Sequence, residues 1–151
     1  MKKMLLVFVA LLLSCVSCGG DDCPTCPRPP SPSGSPPVIS DLECNPTSAE
    51  MGQGGGAISM SCTLFFRDPD GDLESIVFSY VDGCGQDPGP LDIDVRGQAG
   101  VQEQGDINLV NLQVKTNCAA DTYTYEFVAV DSEGSESDPL IQPFLLVESS
   151  G

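Results

Sequence analysis

Two kinds of side chain in this sequence could do chemistry, carboxylates and thiols. Asp68, Asp70, Asp72 and Glu74 alternate through one short stretch, and Asp131, Glu133, Glu136 and Asp138 crowd a second. Carboxylates held close together repel unless something neutralises them, and Ca²⁺ takes about six to eight oxygen ligands of this kind. Asp68, Asp70 and Asp72, with Asp131 from the second stretch, are therefore a candidate Ca²⁺ ligand set. The run is not an EF-hand, because it lacks that loop's spacing and its terminal glutamate. The same residue types also build a plain turn, in which Asp accepts backbone N–H bonds and Gly71 permits a positive φ. Both readings stand at this point. Paired carboxylates can also hydrolyse glycosides, but acids on turns without an apolar cleft lack the burial that tunes a catalytic pair.

The thiols number eight, and the chain has no histidine. Without imidazole there is no Ser-His-Asp or Cys-His relay and no His ligand for zinc. Cys23-Pro24-Thr25-Cys26 has the spacing of a redox pair, but that chemistry expects a helix N-terminus to lower the thiol pKa. Gly19-Gly20-Asp21-Asp22 precedes the pair and proline-rich sequence follows it. A local disulfide or inert thiols is the expectation there, with redox exchange or metal binding as the alternative.

Charge and composition bound the partners. The chain has 151 residues, six basic and 22 acidic, for a formal charge of −16. Two of the basic residues are Lys2 and Lys3, so no basic groove for nucleic acid can form. Met4 to Leu13 is an unbroken apolar run of ten residues behind that positive start. Ten residues are too few to span a bilayer, where about 20 are needed, and match the apolar region of a secretory signal.

The end of the run, Leu12-Leu13-Ser14-Cys15, resembles the lipobox of bacterial lipoproteins, although a residue smaller than Leu13 is commoner at its position. The resemblance implies a diacylglyceryl group on the Cys15 thiol, removal of residues 1–14 and acylation of the new N-terminus. Cys18 is the rival acceptor: cleavage before it leaves an even set of six cysteines, whereas cleavage before Cys15 leaves Cys18 over as well. Loss of the signal leaves four basic residues against the 22 acids. Anionic lipid head groups would repel such a body, so the acyl chains must do the anchoring. Gly19 to Pro37 then holds seven prolines in 19 residues. This stretch lacks the periodicity of a core-forming segment and favours extended polyproline II, with a reach of at most roughly 60 Å.

The acidic stretches need a scaffold, and residues 38–148 predict one that is all-β. Turn-forming clusters recur at 45–46, 52–56, 68–72, 82–90, 97–105 and 132–138, with short β-rich runs between them. The spacing predicts strands at about 38–45, 58–66, 75–82, 107–115, 122–131 and 140–148, and no sustained helical period. Ile58, Met60, Cys62, Leu64 and Phe66 alternate with Ser59, Ser61 and Thr63, giving one buried and one wet face. Residues 75–81 are apolar on both faces and predict a more buried strand. Between Leu109 and Val110 the apolar parity changes, which predicts a β-bulge.

Tyr123-x-Tyr125-x-Phe127-x-Ala129-x-Asp131-x-x-Gly134 resembles the penultimate strand of fibronectin type III and related immunoglobulin-like domains. Phe66-Arg67-Asp68-Pro69-Asp70-Gly71-Asp72 is similar to a turn of bacterial immunoglobulin-like repeats. Together the two imply an immunoglobulin-like antiparallel β-sandwich, with Tyr123 making a tyrosine corner. Absence of tryptophan departs from antibody-type domains. In such a fold the first two strands form a hairpin around Gly54, with Cys44 and Cys62 nearly symmetric about it, and Cys84 and Cys118 lie at neighbouring strand ends. The implied bridges are Cys44–Cys62 and Cys84–Cys118.

Three segments thus emerge: a signal (1–14), a lipid-anchored proline-rich linker (15–37) and a sandwich (38–148). They describe an exported, non-enzymatic module displayed at a bacterial envelope, on the outer membrane or cell surface rather than free in the periplasm. It would bind a protein or glycan or support an envelope assembly, without a required cofactor and with Ca²⁺ as the candidate ion. The alternative is a redox or metal-handling envelope lipoprotein that uses Cys23 and Cys26. Mass spectrometry of the mature N-terminus should show an acylated cysteine at Cys15 or Cys18; an unmodified N-terminus beyond Cys18 would defeat the lipoprotein reading.

Overall fold

In the computed structural model the described residues are 34–82 and 89–150. Cys15, Cys18, Cys23, Cys26 and Cys84 lie outside them, as do the signal and most of the proline-rich linker. Eight strands follow in order: β1 (Val38–Asn45), β2 (Ser48–Glu50), β3 (Ala57–Arg67), β4 (Leu73–Asp82), β5 (Leu91–Asp94), β6 (Gln104–Lys115), β7 (Asp121–Asp131) and β8 (Leu140–Val147). A single helical turn, α1 (Arg96–Ala99), joins β5 to β6. One sheet has the order β1-β3-β6 and the other β2-β8-β7-β4-β5. Every pairing is antiparallel except β2 with β8. The longer strands alternate between the sheets in sequence, β1 and β3 in the first, β4 in the second, β6 in the first, β7 and β8 in the second, so this is an immunoglobulin-like β-sandwich.

Alternation in the sequence becomes alternation in burial. Met60, Cys62, Leu64 and Phe66 of β3 point into the core while Ser59, Ser61 and Thr63 face water. Ile107, Leu109, Leu112 and Val114 complete the inner face of the first sheet. The bulge falls in β6 where the parity changes. Cys62 opposes Leu109 and Met60 opposes Leu112, so Val110 and Asn111 together face one residue of β3. Asn111 takes φ 61° there, which turns both Leu109 and Leu112 inward. An amide side chain tolerates this left-handed conformation better than a branched one would.

Aromatic residues of β4, β7 and β8 cluster in the core. Phe78 stacks on Tyr125 at 5.3 Å between ring centres and lies 5.1 Å from Phe127, and Tyr80 lies 4.8 Å from Tyr125. Phe144 meets the Tyr125 ring edge-on at 6.1 Å. Complete burial of each such ring contributes roughly 1.5–3 kcal/mol. That burial also pushes the Tyr125 phenol up from its ordinary pKa, with Tyr80 and Tyr123 adding to the effect. The Tyr80 hydroxyl reaches across to donate to the Gln113 carbonyl of β6 at 3.1 Å, a direct tie between sheets. Tyr123 donates its hydroxyl to the Ala119 carbonyl at 2.8 Å, pinning the lead-in to β7.

The structure departs from the sequence expectations in three places. The segment from β1 to β3 is not a simple hairpin around Gly54: after Asn45 the chain leaves the first sheet and adds β2 to the edge of the second. β1 and β3 nevertheless pair in the register that sets Cys44 opposite Cys62. β5 and α1 are additions in a stretch read as turn and coil, and β5 covers the outer edge of β4. Residues 75–81 are less buried than their composition implies. Ile76 and Phe78 are enclosed, but Val81, next to the last residue of β4, is 57% exposed.

The Cys44–Cys62 disulfide is present and spans 18 residues of sequence. It lies within one sheet rather than between two. Cys118 is also disulfide-bonded; Cys84, its expected partner, lies outside the described residues. Closing a loop of 18 residues restricts the unfolded chain enough to stabilise the fold by about 3 kcal/mol. Replacing Cys44 and Cys62 together by alanine should lower stability by that amount in urea denaturation. An unchanged midpoint would contradict it.

Candidate functional site

The two acidic stretches form the β3–β4 and β7–β8 loops, and backbone and side-chain bonds join them at one end of the sandwich. Ser132 donates its N–H to the Asp72 carbonyl at 3.0 Å and its hydroxyl to Asp72 Oδ2. Leu73 and Asp131 are register partners at the adjoining strand ends.

The four expected ligands have different surroundings. Asp68 is fully buried. Its Oδ1 accepts from the Asp70 N–H at 3.3 Å and its Oδ2 from the Asp72 N–H at 2.8 Å. Its own N–H donates to the Glu103 carbonyl at 2.8 Å, tying the loop to the segment that enters β6. Both Asp68 oxygens accept from the loop backbone, as in a plain turn. Gly71 sits at φ 66°, and a methyl there would come 3.0 Å from the Val101 carbonyl oxygen. The turn thus needs glycine for both conformation and space.

Asp131 is 2% exposed. Its Oδ1 accepts from the N–H groups of Glu133 and Ser135, at 2.9 and 2.7 Å. Its Oδ2 is buried without a hydrogen-bond partner, and so are Asp72 Oδ1 and Ser135 Oγ. Buried polar atoms in folded proteins nearly always have partners, so such orphans call for an explanation. Asp70 is exposed on the tip of its loop, and its Oδ2 accepts the Ser35 N–H at 2.6 Å. A methyl on Gly34 would lie 3.1 Å from Asp70 Oδ2, 3.3 Å from Glu133 Oε2 and 3.5 Å from Asp131 Oδ2. Three carboxylate oxygens from two loops thus surround the side of Gly34 that carries no side chain.

Residue type and spacing did not reveal Glu133 as part of this convergence, because nothing distinguishes it from Glu136 or Asp138 in the same run. Gly34 and Ser35 were hidden inside the proline-rich stretch. Glu74 does not join the group. It pairs at 3.2 Å with Arg96 of α1, which also binds Asp94 at 2.5 Å. The side-chain and backbone hydrogen bonds from Arg96 hold the Asp94 carboxyl down at about 2. The pair favours the folded state above the ordinary aspartate value, and that contribution is lost as the pH falls through about 2. Such exposed pairs contribute little.

Among the described residues, no three Asp, Glu or Cys side chains are already gathered as a metal-holding group. Glu74, Ser75, Asp92, Asp94 and Arg96 line a shallow depression of about 200 Å³. That is below the usual range of small-molecule sites, about 300–1,000 Å³. No described helix is long and apolar enough to cross a membrane.

No protein-family model matches the chain, and no curated protein sequence matches it. Among solved structures, it is similar to the PKD domain of an M14-like peptidase from a Thermoplasmatales archaeon. The identity is 19% and the TM-score 0.42, over 77% of this chain and 100% of that one. It is also similar to a Niemann-Pick type C2 protein from the Japanese carpenter ant, at 8% identity and TM-score 0.43, over 75% of this chain and 94% of that one. A third likeness is to the alkylpurine DNA glycosylase AlkC of Pseudomonas fluorescens bound to DNA with an abasic site analogue. It shares 9% identity at TM-score 0.38, over 76% of this chain and 31% of that one. At these values the likenesses carry no functional inference, and the sandwich assignment rests on the strand pairing itself.

Asp68→Ala should destabilise the head by roughly 2–4 kcal/mol, because the Asp70 and Asp72 N–H groups both lose their acceptor. Asp68→Asn should cost less, since one oxygen acceptor is kept. Thermal or urea melts that show no loss for Asp68→Ala would remove this residue from its structural role.

Proposed function

We propose that this chain is a non-enzymatic module, anchored by lipid at the bacterial envelope and displaying its sandwich for a protein or glycan partner or as part of an envelope assembly. The carrying observation is the order of its parts: a lipobox-like signal, a proline-rich spacer and a disulfide-bonded immunoglobulin-like head. A disulfide persists in oxidising compartments, which fits export. The head's acidic surface keeps it soluble and disfavours anionic lipid and nucleic acid as partners. Attachment at the outer membrane or cell surface fits a spacer that holds such a head away from the bilayer.

Fold alone assigns no function, so the test addresses attachment and thiol chemistry together. In cells making the full chain, the protein should fractionate with membranes. Replacing both Cys15 and Cys18 by serine should release it into the soluble exported fraction. Thiol titration of the purified protein should find no low-pKa, exchangeable pair. Membrane association that survives the double substitution would overturn the lipid anchor. A reactive Cys23–Cys26 pair would favour redox or metal handling over display.

A further inference from the structure

We propose that the Gln98 side chain stands in for an absent strand and keeps the edge of β6 closed to β6 of a second copy of this chain. β1 and β6 are the edges of the first sheet, and β2 and β5 those of the second. An open edge carries unpaired backbone groups that invite another strand, and proteins blunt it with short strands, charges and bulges. Three of these four edges are blunted in that way. β2 has three residues and includes Glu50. β5 has four and includes Asp92 and Asp94. β1 carries Asp41 and Glu43, and its register shifts between Ser40 and Glu43, with Asp41 at φ 51°. β6 differs: it has 12 residues, pairs without a break from Gln104 to Leu109, and holds Asp106 as its one acid. Constant-type immunoglobulin domains place a fourth strand in this sheet. Among the described residues no strand pairs with the outer edge of β6.

Gln98 of α1 makes both bonds that a neighbouring strand would make there. Its Nε2 donates to the Asn108 carbonyl at 3.1 Å, and its Oε1 accepts the Asn108 N–H at 2.8 Å. Val95 and Ala99 flank it and are fully buried, and the Val95 N–H donates to the Glu74 carbonyl at 3.0 Å. α1 is thereby fixed with Gln98 against β6. Because the Asn108 backbone groups turn to Gln98 rather than to β3, strand alternation turns those of Asp106 and Gln104 the same way. Beyond Asn108 the bulge at Val110 and Asn111 breaks the spacing, and side chains take the next carbonyls. Gln113 Nε2 donates to the Asn111 carbonyl at 3.3 Å, and the Tyr80 hydroxyl to the Gln113 carbonyl. Residues 104–108 are thus the stretch open to a strand, and Gln98 closes one end of it. A second copy is the occupant that charge favours. β6 carries one acid and one base, Asp106 and Lys115, in a chain of charge −16. Acids on the other three edges keep copies apart, and at β6 that repulsion is weakest. The cap does not depend on the anchor proposed above.

Sedimentation velocity and residue-resolved amide exchange test this on the purified full chain carrying Cys15→Ser and Cys18→Ser, so that no acyl group holds copies together. The chain with Gln98 in place should sediment as a monomer. Gln98→Ala puts a good helix former at an exposed position and should strengthen self-association about tenfold or more, because two competing bonds are gone. Its Asn108 amide should exchange freely in dilute solution. As concentration rises, the Gln104, Asp106 and Asn108 amides should become protected together, while those of β1 stay unchanged. Gln98→Met keeps the length of the side chain without its amide, should associate in the same way, and decides the matter if Gln98→Ala fails to fold. Adding Asp106→Lys to either variant should return the monomer, since lysine on an edge opposes strand pairing. Uncapped variants that stay monomeric, or that associate without protecting those three amides, would overturn the cap. So would pairing through β6 with Gln98 in place.

Discussion

Backbone N–H groups that leave a sheet must still find an acceptor, and at one end of this sandwich two buried aspartates supply it. Asp68 accepts from two amides of its own loop, and Asp131, the last residue of β7, does the same for the loop that follows it. A buried carboxylate is tolerable only when hydrogen bonds replace its lost water, and charge-assisted bonds are the strong ones. Each aspartate and its loop therefore hold one another in place. Because the two loops are also joined through Asp72 and Ser132, fixing either constrains the other. The β3–β4 loop carries the chain from one sheet to the other, so this end sets how the sheets meet.

The rest of the head follows from that alignment. Aromatic rings of β4, β7 and β8 pack over the aliphatic face of β3 and β6 without a tryptophan. The β6 bulge keeps Leu109 and Leu112 on the same side. At the other edge the disulfide links β1 to β3 close to the point where the chain departs to form β2. The bridge thus holds the edge strand in register while the chain switches sheets.

Long strands were legible because turn-forming clusters bound them: β1, β3, β4, β6, β7 and β8 are found close to where that spacing puts them. β2 has three residues and β5 four, too few for any period to emerge. Both owe their existence to a neighbouring edge, which a local pattern cannot display. The bulge was legible because it breaks the inward parity of Leu109 and Leu112. At the acidic end, residue type gave the place but not the roles. Asp68 and Asp131 are both buried acceptors, yet only Asp131 retains an unpartnered oxygen, a difference made by tertiary placement. Gly34 carried no signal among prolines and serines, since its part consists in having no side chain beside three carboxylates.

The central claim is that buried carboxylates, rather than solvent, satisfy the loop backbone at this end of the sandwich. Amide hydrogen exchange resolved by residue addresses it directly in the native chain. Solvent-satisfied loop amides would exchange at rates close to those of an unfolded peptide, whereas amides held by buried acceptors exchange only when the loop opens. The account predicts that the Asp72 and Ser135 amides, bonded to Asp68 Oδ2 and Asp131 Oδ1 at 2.8 and 2.7 Å, are protected to a degree comparable with the strands they adjoin. Exchange of both amides at unprotected rates would contradict it.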